Sequence, residues 1–331
     1  MEKVIAVVVS HNRHHLLVDC IQSLRNQTRK PDEILVVNNG SSDYTSVWLD
    51  KQDDLVHLYQ DNLGSAGGFH TGIKWAYEKG YQWIWCMDDD GYAKEDALEV
   101  LLNQNEKQPV LLNCAVLNKE DRRSFVWKTG NFSFIDEVKQ DIVNGIGHPF
   151  NGTLIHRNIV TLVGLPNANL YHRGEEVEYF YRITKTFKID AKTVIGSVYF
   201  HPPTKYSYSK EWNLKESWST YFHVRNQYSI MKSKYNNAMK ACFAYAGFVV
   251  SFVYNVLATQ KNDRLKKLNF IFNAAIDGIT NDSSQNSETV KTSIHSLYQN
   301  NFYQKLVNPF KKYLLNLFVP SYTETTNHVT V

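Results

Sequence analysis

Short apolar runs alternate with amphipathic stretches in the N-terminal third of the chain, and this alternation constrains the fold more than any other feature. Val4–Val9 is an uninterrupted apolar run, as expected of a strand buried on both faces of a sheet. A helical pattern follows, with apolar residues that would share one face: Leu16, Cys20, Ile21 and Leu24. The later segments alternate likewise, with strands at Ile34–Val37, Leu55–Tyr59 and Trp83–Met87 and a helix from Gly64 to about Lys79. This β-α-β order predicts a mostly parallel α/β sheet covered by helices.

Polar residues follow four of the predicted strands at the points where the strands end. They are Ser10-His11-Asn12, Asn38-Asn39-Gly40, Asp61-Asn62 and Asp88-Asp89-Asp90. Sheets of this class bind ligands at the carboxyl ends of their strands. We therefore expect these residues to line one site.

Asp88-Asp89-Asp90 is the sharpest chemical signal, because it directly ends the apolar run Trp83–Met87. In a strand-end turn the side chains of residues i and i+2 can point to the same side, so Asp88 and Asp90 can share one cation that neutralises a diphosphate. Hard carboxylate oxygens favour Mg²⁺ or Mn²⁺. The alternative is a solvated acidic turn or a helix N-cap. The position after a buried strand favours the metal.

A glycine-rich segment, residues 64–68, opens the second helical stretch directly after Asp61-Asn62. Glycines let the backbone approach a phosphate closely, and a helix N-terminus favours negative charge. Gly64 and Gly67 are therefore candidate ligand-binding positions. By itself, however, a glycine-rich turn before a helix is more often simple punctuation.

A second acidic cluster lies in the segment HRGEEVEYF, residues 172–180. A carboxylate here could act as a general base, with Glu176 as the candidate and Glu175 beside it. The alternative is a helix start, where acidic residues complement the helix dipole, and both interpretations can hold together. His201 ends a later apolar run before Pro-Pro. A neutral imidazole there could be a third metal ligand, although a histidine in that context is more often structural.

The pattern becomes mostly helical from Leu214 onward, which predicts an α/β domain over residues 1–210, carrying the candidate site, and a helical extension over residues 211–331. Ala238–Ala258 is strongly apolar, the basic run Lys261–Lys267 follows, and residues 281–291 resemble a linker. Phe302–Phe318 is again basic, aromatic and apolar. This composition fits a helix lying at a membrane interface. A helix packed on the catalytic domain or at a homo-oligomer interface is an equal alternative.

Net charge and cysteine spacing indicate which partners and which cellular compartment to expect. The formal net charge is only +3, so we expect no nucleic-acid partner. The four cysteines lie far apart and form no C-x-x-C, which favours reduced thiols in a cytoplasmic protein.

Taken in order, these motifs resemble the family 2 glycosyltransferases of the GT-A fold, a Rossmann-like architecture. The galactofuranosyl- and rhamnosyl-transferase branches are the most similar. The resemblance covers about residues 3–230 and rests on several segments: VIAVVVSHNR, VVNNGSSD, residues 61–68, Asp88-Asp89-Asp90, residues 150–152 and 163–166, EEVEY and YFHVRN. Two departures stand out. Asn38 replaces an aspartate that in many members contacts the donor's base, and glutamates replace aspartates at positions 175 and 176.

The resemblance implies a set of site residues. It places the divalent metal, Mn²⁺ or Mg²⁺, on Asp88, Asp90 and His201, and makes Glu176 the base beside Glu175. Acceptor-binding residues would be Glu178, Asn151 and Gly152. Donor-binding residues would be Ser10, Asn12, Asn38, Asn39, Asp61, Asn62, Gly64, Gly67 and Asp89.

The resemblance also implies an inverting transfer from a nucleotide-diphosphate sugar, UDP-galactofuranose or dTDP-rhamnose being favoured. The acceptor would be a polysaccharide or a lipid-linked glycan, and the enzyme would work at the inner face of a bacterial cell membrane. Two other functions remain open. A nucleotidyltransferase shares the fold type and the metal, but SHNRHHLL lacks the glycine-rich loop expected after its first strand. A non-catalytic carbohydrate- or nucleotide-binding module would leave the acidic residues merely solvated.

Overall fold

The computed structural model describes residues 2–104, 109–203, 208 and 210–299. The described strands are β1 (Val4–Ser10), β2 (Glu33–Asn39), β3 (Val56–Gln60), β4 (Trp83–Asp88), β5 (Tyr92–Ala93), β6 (Leu111–Asn118), β7 (Ser124–Thr129), β8 (Phe132–Phe134), β9 (Ile142–Asn144), β10 (Asn151–His156) and β11 (Ala191–His201). The described α-helices are α1 (His14–Arg25), α2 (Thr45–Leu49), α3 (Gly64–Glu78), α4 (Ala97–Leu102), α5 (Arg157–Val163), α6 (Glu175–Tyr181), α7 (Ser219–Tyr235), α8 (Ala238–Thr259), α9 (Arg264–Thr280) and α10 (Ser287–Ser296).

The central sheet has the strand order β3-β2-β1-β4-β10-β6-β11-β5. Strands β3, β2, β1 and β4 are mutually parallel, as the alternation with helices predicts. Beyond β4 the sheet is mixed. β10 runs antiparallel to both β4 and β6, whereas β6 and β11 are parallel. The parallel half carries the polar strand ends singled out in the sequence.

Helices cover both faces of the sheet, which explains why β1 is apolar at every position before Ser10. Val4, Ala6 and Val8 pack in a core shared with α1 and α4. Ile5, Val7 and Val9 pack in a second core shared with α3, α5 and α6. In α1 the buried face is Leu17, Cys20, Ile21 and Leu24. Leu16, predicted on that face, is only partly buried, because the i, i+3, i+4, i+7 stripe begins one residue later.

Two glycines let α3 approach β1 closely. A Cβ atom on Gly68 would lie 2.4 Å from Val9 Cγ1, and one on Gly72 would lie 2.5 Å from Val7 Cγ1. No side chain larger than hydrogen fits at either position without moving the helix. Part of the glycine-rich pattern therefore serves packing between helix and sheet.

Helices α7 to α10 surround a separate apolar core. Tyr245 of α8 lies inside it, and its Oη donates to the backbone carbonyls of Val224 in α7 and Ala275 in α9, at 3.0 and 3.3 Å. The linker expected over residues 281–291 is shorter than predicted, because α10 begins at Ser287 and is capped by Asn286. Phe302–Phe318 lies outside the described residues. The domain boundary near residue 210 stays a prediction.

Candidate active site

Asp88, Asp90 and His201 lie together at the carboxyl end of β4, with one potential ligand atom from each within 4.8 Å of the others. The short strand β5 explains how residues so distant in sequence meet. Tyr92 pairs with Phe200 near the end of β11, so the turn after β4 is held beside the last residue of β11. His201 Nε2 then lies 3.4 Å from Asp90 Oδ1.

Arg13 provides the positive charge closest to this acidic turn among the ion pairs described. Its Nη1 lies 3.1 Å from Asp89 Oδ1 and 3.0 Å from Asp90 Oδ2, and about half of the side chain is exposed. Arg13 was not among the site residues predicted from the sequence. An arginine after a strand-end turn is indistinguishable from any surface arginine until the acidic turn folds against it.

Burial leaves the acidic cluster short of compensating partners. Asp89 Oδ2 and Asp90 Oδ1 are buried without a well-directed hydrogen bond. Burial and the charge of Asp90 raise the pKa of Asp88 to about 8. Burial also acts to lower the pKa of His201, but contact with Asp90 and the charge of Asp88 raise it above its ordinary value. The carboxylates of Asp88 and Asp90 and the imidazole of His201 form a donor set that fits a divalent cation such as Mn²⁺ or Mg²⁺.

The turns after β1, β2 and β3 are joined in one network. Asn12 adopts a left-handed backbone with φ 55°, and its Oδ1 accepts from Ser42 N at 2.7 Å. His11 Nδ1 lies 2.9 Å from Asn39 O, and His11 Nε2 lies 3.2 Å from Asn62 Nδ2. Ser10 is buried at the end of β1. The structure thus brings these predicted donor-site turns together.

Asn38 and Asn39 are both buried, and their side-chain amides are engaged by the protein. Asn38 Nδ2 donates to Ser46 Oγ at 2.8 Å, and its Oδ1 accepts from a backbone N–H three residues on at 3.0 Å. Asn39 Oδ1 accepts from Gln60 Nε2 at 2.7 Å, and its Nδ2 donates to Gly64 O at 2.9 Å. These side chains therefore organise the turns around the site, and their direct contact with a donor stays a prediction. The neighbouring Asp61 is exposed.

Gly64 is required by a close backbone contact at the start of α3. Its φ is +71°, and a Cβ there would lie 1.9 Å from the carbonyl oxygen of Tyr171. A Cβ on Gly67 would lie 2.4 Å from the side chain four residues earlier. Gly64 N donates to Asn62 Oδ1 at 3.0 Å, and Ala66 N donates to Tyr171 O at 3.1 Å. Both glycines thus have a structural cause, and two N–H groups of the first turn are already engaged.

The two candidate catalytic carboxylates begin α6, beside the start of α3. Glu175 is buried; Ser65 Oγ donates to its Oε1, while its Oε2 has no hydrogen bond. Burial, with the charges of Glu176 and more weakly of Asp88, raises the pKa of Glu175 well above its ordinary value. Glu176 is more accessible, and its Oε2 accepts from Gly174 N at 3.0 Å. Glu176 therefore caps its own helix, as a helix-start residue would.

Glu178, predicted on the acceptor side, is buried in an ion pair with Arg182. Its two oxygens lie 3.0 Å from Arg182 Nε and 3.1 Å from Arg182 Nη2. Ser233 Oγ of α7 also donates to Glu178 Oε1 at 2.7 Å. These contacts join α6 to α7, which is a structural use of the carboxylate. Its contact with an acceptor stays a prediction.

Asn151 and Gly152 form an irregularity in β10 next to the acidic turn. The register of β10 against β4 shifts here, and Phe150 O accepts from Asp88 N at 2.9 Å. Gly152 has φ +74°, and a Cβ there would lie 2.7 Å from Cys114 Sγ. Asn151 Oδ1 is buried without a hydrogen bond. This segment supports the backbone of Asp88 whether or not it also contacts an acceptor.

Asn226 of α7 holds the loop that leads into α6. Its Nδ2 lies 2.9 Å from Leu170 O, 3.0 Å from His172 O and 2.7 Å from Arg173 O. Arg225 Nε donates to Asn226 Oδ1 at 2.9 Å, which turns the amide so that its nitrogen faces the loop. We call this pair and its carbonyl partners the loop clamp.

The clamped loop has an unusual backbone. Tyr171 and Arg173 have φ of 60° and 63°, and Gly174 has φ of 94°. A left-handed conformation costs a non-glycine residue about 1–2 kcal/mol, so the loop needs contacts that over-determine it. The YFHVRN motif marked Arg225 and Asn226 in the sequence, but their partners 53 to 56 residues away could not be read from it.

Comparison with known proteins identifies the family. The model of the Glycosyl transferase family 2 matches residues 5–159. Galactofuranosyltransferase GlfT1 of Mycobacterium tuberculosis (strain ATCC 25618 / H37Rv) is 34% identical over 215 residues, which are 61% of this chain and 70% of that protein. GlfT1 of Mycolicibacterium smegmatis is 32% identical over 217 residues, 61% of this chain and 71% of that protein. Among solved structures, S. aureus TarS superposes with a TM-score of 0.50 at 12% identity, covering 88% of this chain and 52% of TarS, and this likeness concerns the fold alone.

Together with this family match and these relatives, the α/β sheet and its acidic turn place the chain in the class of nucleotide-sugar transferases. The chain belongs to glycosyltransferase family 2. The resemblance seen in the sequence motifs is thereby confirmed, and so is the prediction of a glycosyltransferase.

Proposed function

We propose that the protein transfers galactofuranose, or failing that rhamnose, from a nucleotide diphosphate onto a hydroxyl of a polysaccharide or lipid-linked glycan. Galactofuranose is favoured because the two mycobacterial relatives are galactofuranosyltransferases at 34% and 32% identity. UDP-galactofuranose is then the preferred donor and dTDP-rhamnose the second candidate. The observation that carries the proposal is the cluster of Asp88, Asp90 and His201 at the end of β4, within electrostatic range of Glu175.

Asp88, Asp90 and His201 would hold the divalent cation, Mn²⁺ or Mg²⁺. A bound cation of this kind offsets the negative charge that develops on the leaving diphosphate. Arg13 already contacts Asp89 and Asp90 through a half-exposed guanidinium. Arg13 can therefore turn toward a phosphate oxygen of the donor without crossing a packed core.

Glu176 would act as the general base. The acceptor hydroxyl oxygen bonds to the anomeric carbon, its proton passes to the Glu176 carboxylate, and the bond from that carbon to the nucleoside diphosphate breaks. A single displacement of this kind inverts the anomeric configuration. Glu176 suits the role better than Glu175, because Glu176 is more accessible while burial raises the pKa of Glu175 and favours its protonated form.

The cluster is tested by replacing Asp90 with asparagine, which keeps the side-chain shape and removes one negative charge. We expect Mn²⁺ binding, measured by calorimetry without any substrate, to weaken strongly, and turnover of UDP-galactofuranose to fall by at least 100-fold, that is by about 2.7 kcal/mol or more of transition-state stabilisation. Asp136→Asn is the matched control, because Asp136 is an aspartate paired with Arg123 on the surface at 2.7 Å. Undiminished turnover by Asp90→Asn in chelator-treated buffer would exclude the metal.

Two rival functions predict different products. A nucleotidyltransferase would form a nucleotide sugar from a sugar phosphate and a nucleoside triphosphate with release of pyrophosphate, and a binding module would form no product. Incubation with UDP-galactofuranose and a glycan acceptor should instead release UDP. Pyrophosphate release in the presence of UTP would favour the nucleotidyltransferase.

A further inference from the structure

Helix α8 leaves one complete apolar face exposed. Met239, Phe243, Val250, Tyr254 and Leu257 are 70%, 75%, 68%, 69% and 51% exposed. At about 100° per residue these five side chains fall within an arc of roughly 60°. We call them the exposed α8 face. Apolar side chains gathered on one side of a helix usually mark a surface that another phase or molecule covers.

The opposite face of α8 is fully used by the protein. Ala241, Tyr245, Phe252 and Val256 are buried against α7 and α9. By length and composition α8 is the one helix among the described residues that could cross a membrane, with mean hydropathy 1.7, but helices packed in the core of a protein meet the same two conditions. Crossing would pull Tyr245 away from its two carbonyl partners and draw the polar surfaces of the neighbouring helices toward hydrocarbon. A helix packed in this way can instead lie flat with its outer face in the headgroup region.

Charges around the exposed α8 face indicate what covers it. α8 contains no acidic residue, and Lys240 near its start is exposed. Lys261 and Arg264, just beyond its end, are exposed as well. The nearby acidic residues are Asp263, paired with Lys266 at 2.9 Å, and Glu211, paired with Lys267 at 2.8 Å. An apolar strip with basic residues at both ends complements an anionic lipid surface, whose headgroups attract basic side chains while its interior accepts apolar ones.

We propose that the exposed α8 face docks the enzyme flat on an anionic lipid bilayer, such as the cytoplasmic face of a bacterial membrane. This surface goes beyond the proposed transfer reaction and does not depend on which sugar is moved. Docking would concentrate the enzyme where a lipid-linked acceptor lies, without changing the site at the end of β4.

The test is cosedimentation of the purified full chain with vesicles of phosphatidylglycerol and phosphatidylcholine, and with vesicles of phosphatidylcholine alone. We expect tight binding only to the anionic vesicles. The binding should weaken when NaCl is raised from about 0.05 M to about 0.5 M, because the screening length falls below 10 Å. Lys261→Gln should lower the affinity about fivefold, the contribution of one basic residue near such a surface.

Leu257→Asp should lower vesicle affinity at least tenfold, because it puts a negative charge into the exposed α8 face. Leu162→Asp is the matched control, since Leu162 is 54% exposed on α5 and Leu257 is 51% exposed on α8. Tyr254→Asp is a second variant of the exposed α8 face, to be used if Leu257→Asp does not fold. Transfer to a soluble acceptor should be unchanged in all three.

Two outcomes would overturn the docking surface. One is a dimer, seen in sedimentation, that does not bind vesicles and that Leu257→Asp converts to a monomer. This result would assign the exposed α8 face to contact with a second copy of the chain. The other is an equal loss of vesicle binding in Leu162→Asp and Leu257→Asp. Neither result depends on whether UDP-galactofuranose is the donor, so failure here is distinguishable from failure of the proposed reaction.

Discussion

Glu175 and Glu176 are adjacent in the chain but lie in different surroundings. Glu176 is partly exposed, whereas Glu175 is buried beside Ser65. Glu176→Gln removes the proton acceptor with almost no change in shape, and we expect kcat to fall by about 10²–10⁴-fold, the usual contribution of a positioned base. Donor binding should persist. Single-turnover kinetics and the anomeric configuration of the product by NMR measure this; wild-type kcat or a retained configuration would exclude Glu176 as the base.

Glu175 should act on stability rather than on chemistry. Its raised pKa means that its ionisation favours the unfolded chain, where the carboxyl has an ordinary pKa near 4.3. At pH below about 4 both states are protonated and this destabilisation is absent. As pH rises through the unfolded value toward the folded one, the wild type loses stability that Glu175→Gln keeps. Urea unfolding from pH 4 to pH 8 should therefore show a growing advantage of Glu175→Gln.

Glu178→Gln is the contrasting variant for that series. It breaks the buried pair with Arg182, so it should destabilise the protein at neutral pH. A stability difference between Glu175→Gln and wild type that does not change with pH would contradict the buried, protonated carboxyl.

At the scale of elements, the loop clamp couples α7 to the start of α6. Asn226→Asp keeps the volume of the side chain but replaces two N–H donors with a carboxylate facing three carbonyl oxygens. We expect the clamped loop to relax and kcat to fall at least tenfold, with little change in the KM for the donor. The pH profile of kcat should shift as well, because Glu176 follows the loop directly. Asn226 is a positioning residue, since it acts through the loop.

Asn269→Asp is the matched control for the loop clamp. Asn269 of α9 is also a buried asparagine, but its Oδ1 accepts from Asn273, an interaction that aspartate retains. It should lower stability without moving the pH profile of kcat. An Asn226→Asp enzyme with wild-type kcat and an unchanged profile would mean that the clamp only stabilises the fold.

The elements near the acidic turn show which parts of the site were predictable. Asp88 and Asp90 follow a run of apolar residues, so periodicity and local chemistry were sufficient to mark them. His201 was marked only through the family resemblance, because the pairing of β5 with β11 that brings it to Asp90 is a long-range contact. Arg13 and Tyr199 were missed for the same reason. Tyr199 Oη donates to Asp88 O at 2.8 Å, which a central tyrosine in a strand does not reveal.

The glycine-rich segment shows the opposite limit of sequence reasoning. The sequence makes residues 64–68 either a phosphate-binding turn or simple punctuation before a helix. In the structure Gly64 is required by the carbonyl of Tyr171 and Gly68 by Val9, and phosphate binding stays a prediction. A glycine records that something lies close to the backbone, whether ligand or protein. Only the folded arrangement distinguishes them. The antiparallel insertion of β10 between β4 and β6 was likewise invisible, because strand order depends on connections rather than on periodicity.

At the scale of the whole molecule, the sheet and the bundle formed by α7 to α10 pack around separate cores. The bundle core gathers buried residues between Leu214 and Leu297, and Tyr171 also packs against it, so the boundary near residue 210 stays a prediction. The loop clamp crosses that boundary. Arg225 Nη2 also donates to Asn169 O and Leu170 O, at 2.9 and 2.8 Å. We propose that the bundle is part of the catalytic unit and not a detachable extension.

Calorimetric unfolding tests this coupling. UDP with Mn²⁺ at 100 times the dissociation constant should stabilise the native state by about 2.7 kcal/mol. If unfolding of the bundle releases the loop before α6, the site can no longer bind UDP and Mn²⁺ once the bundle has unfolded. The two ligands should therefore raise the melting temperature of every transition. Two transitions of which only one moves would mean that the bundle unfolds independently. Asn226→Asp tests the coupling directly. If the wild type unfolds in a single transition, weakening the loop clamp should split that transition into two, whereas Asn269→Asp should lower its melting temperature without splitting it.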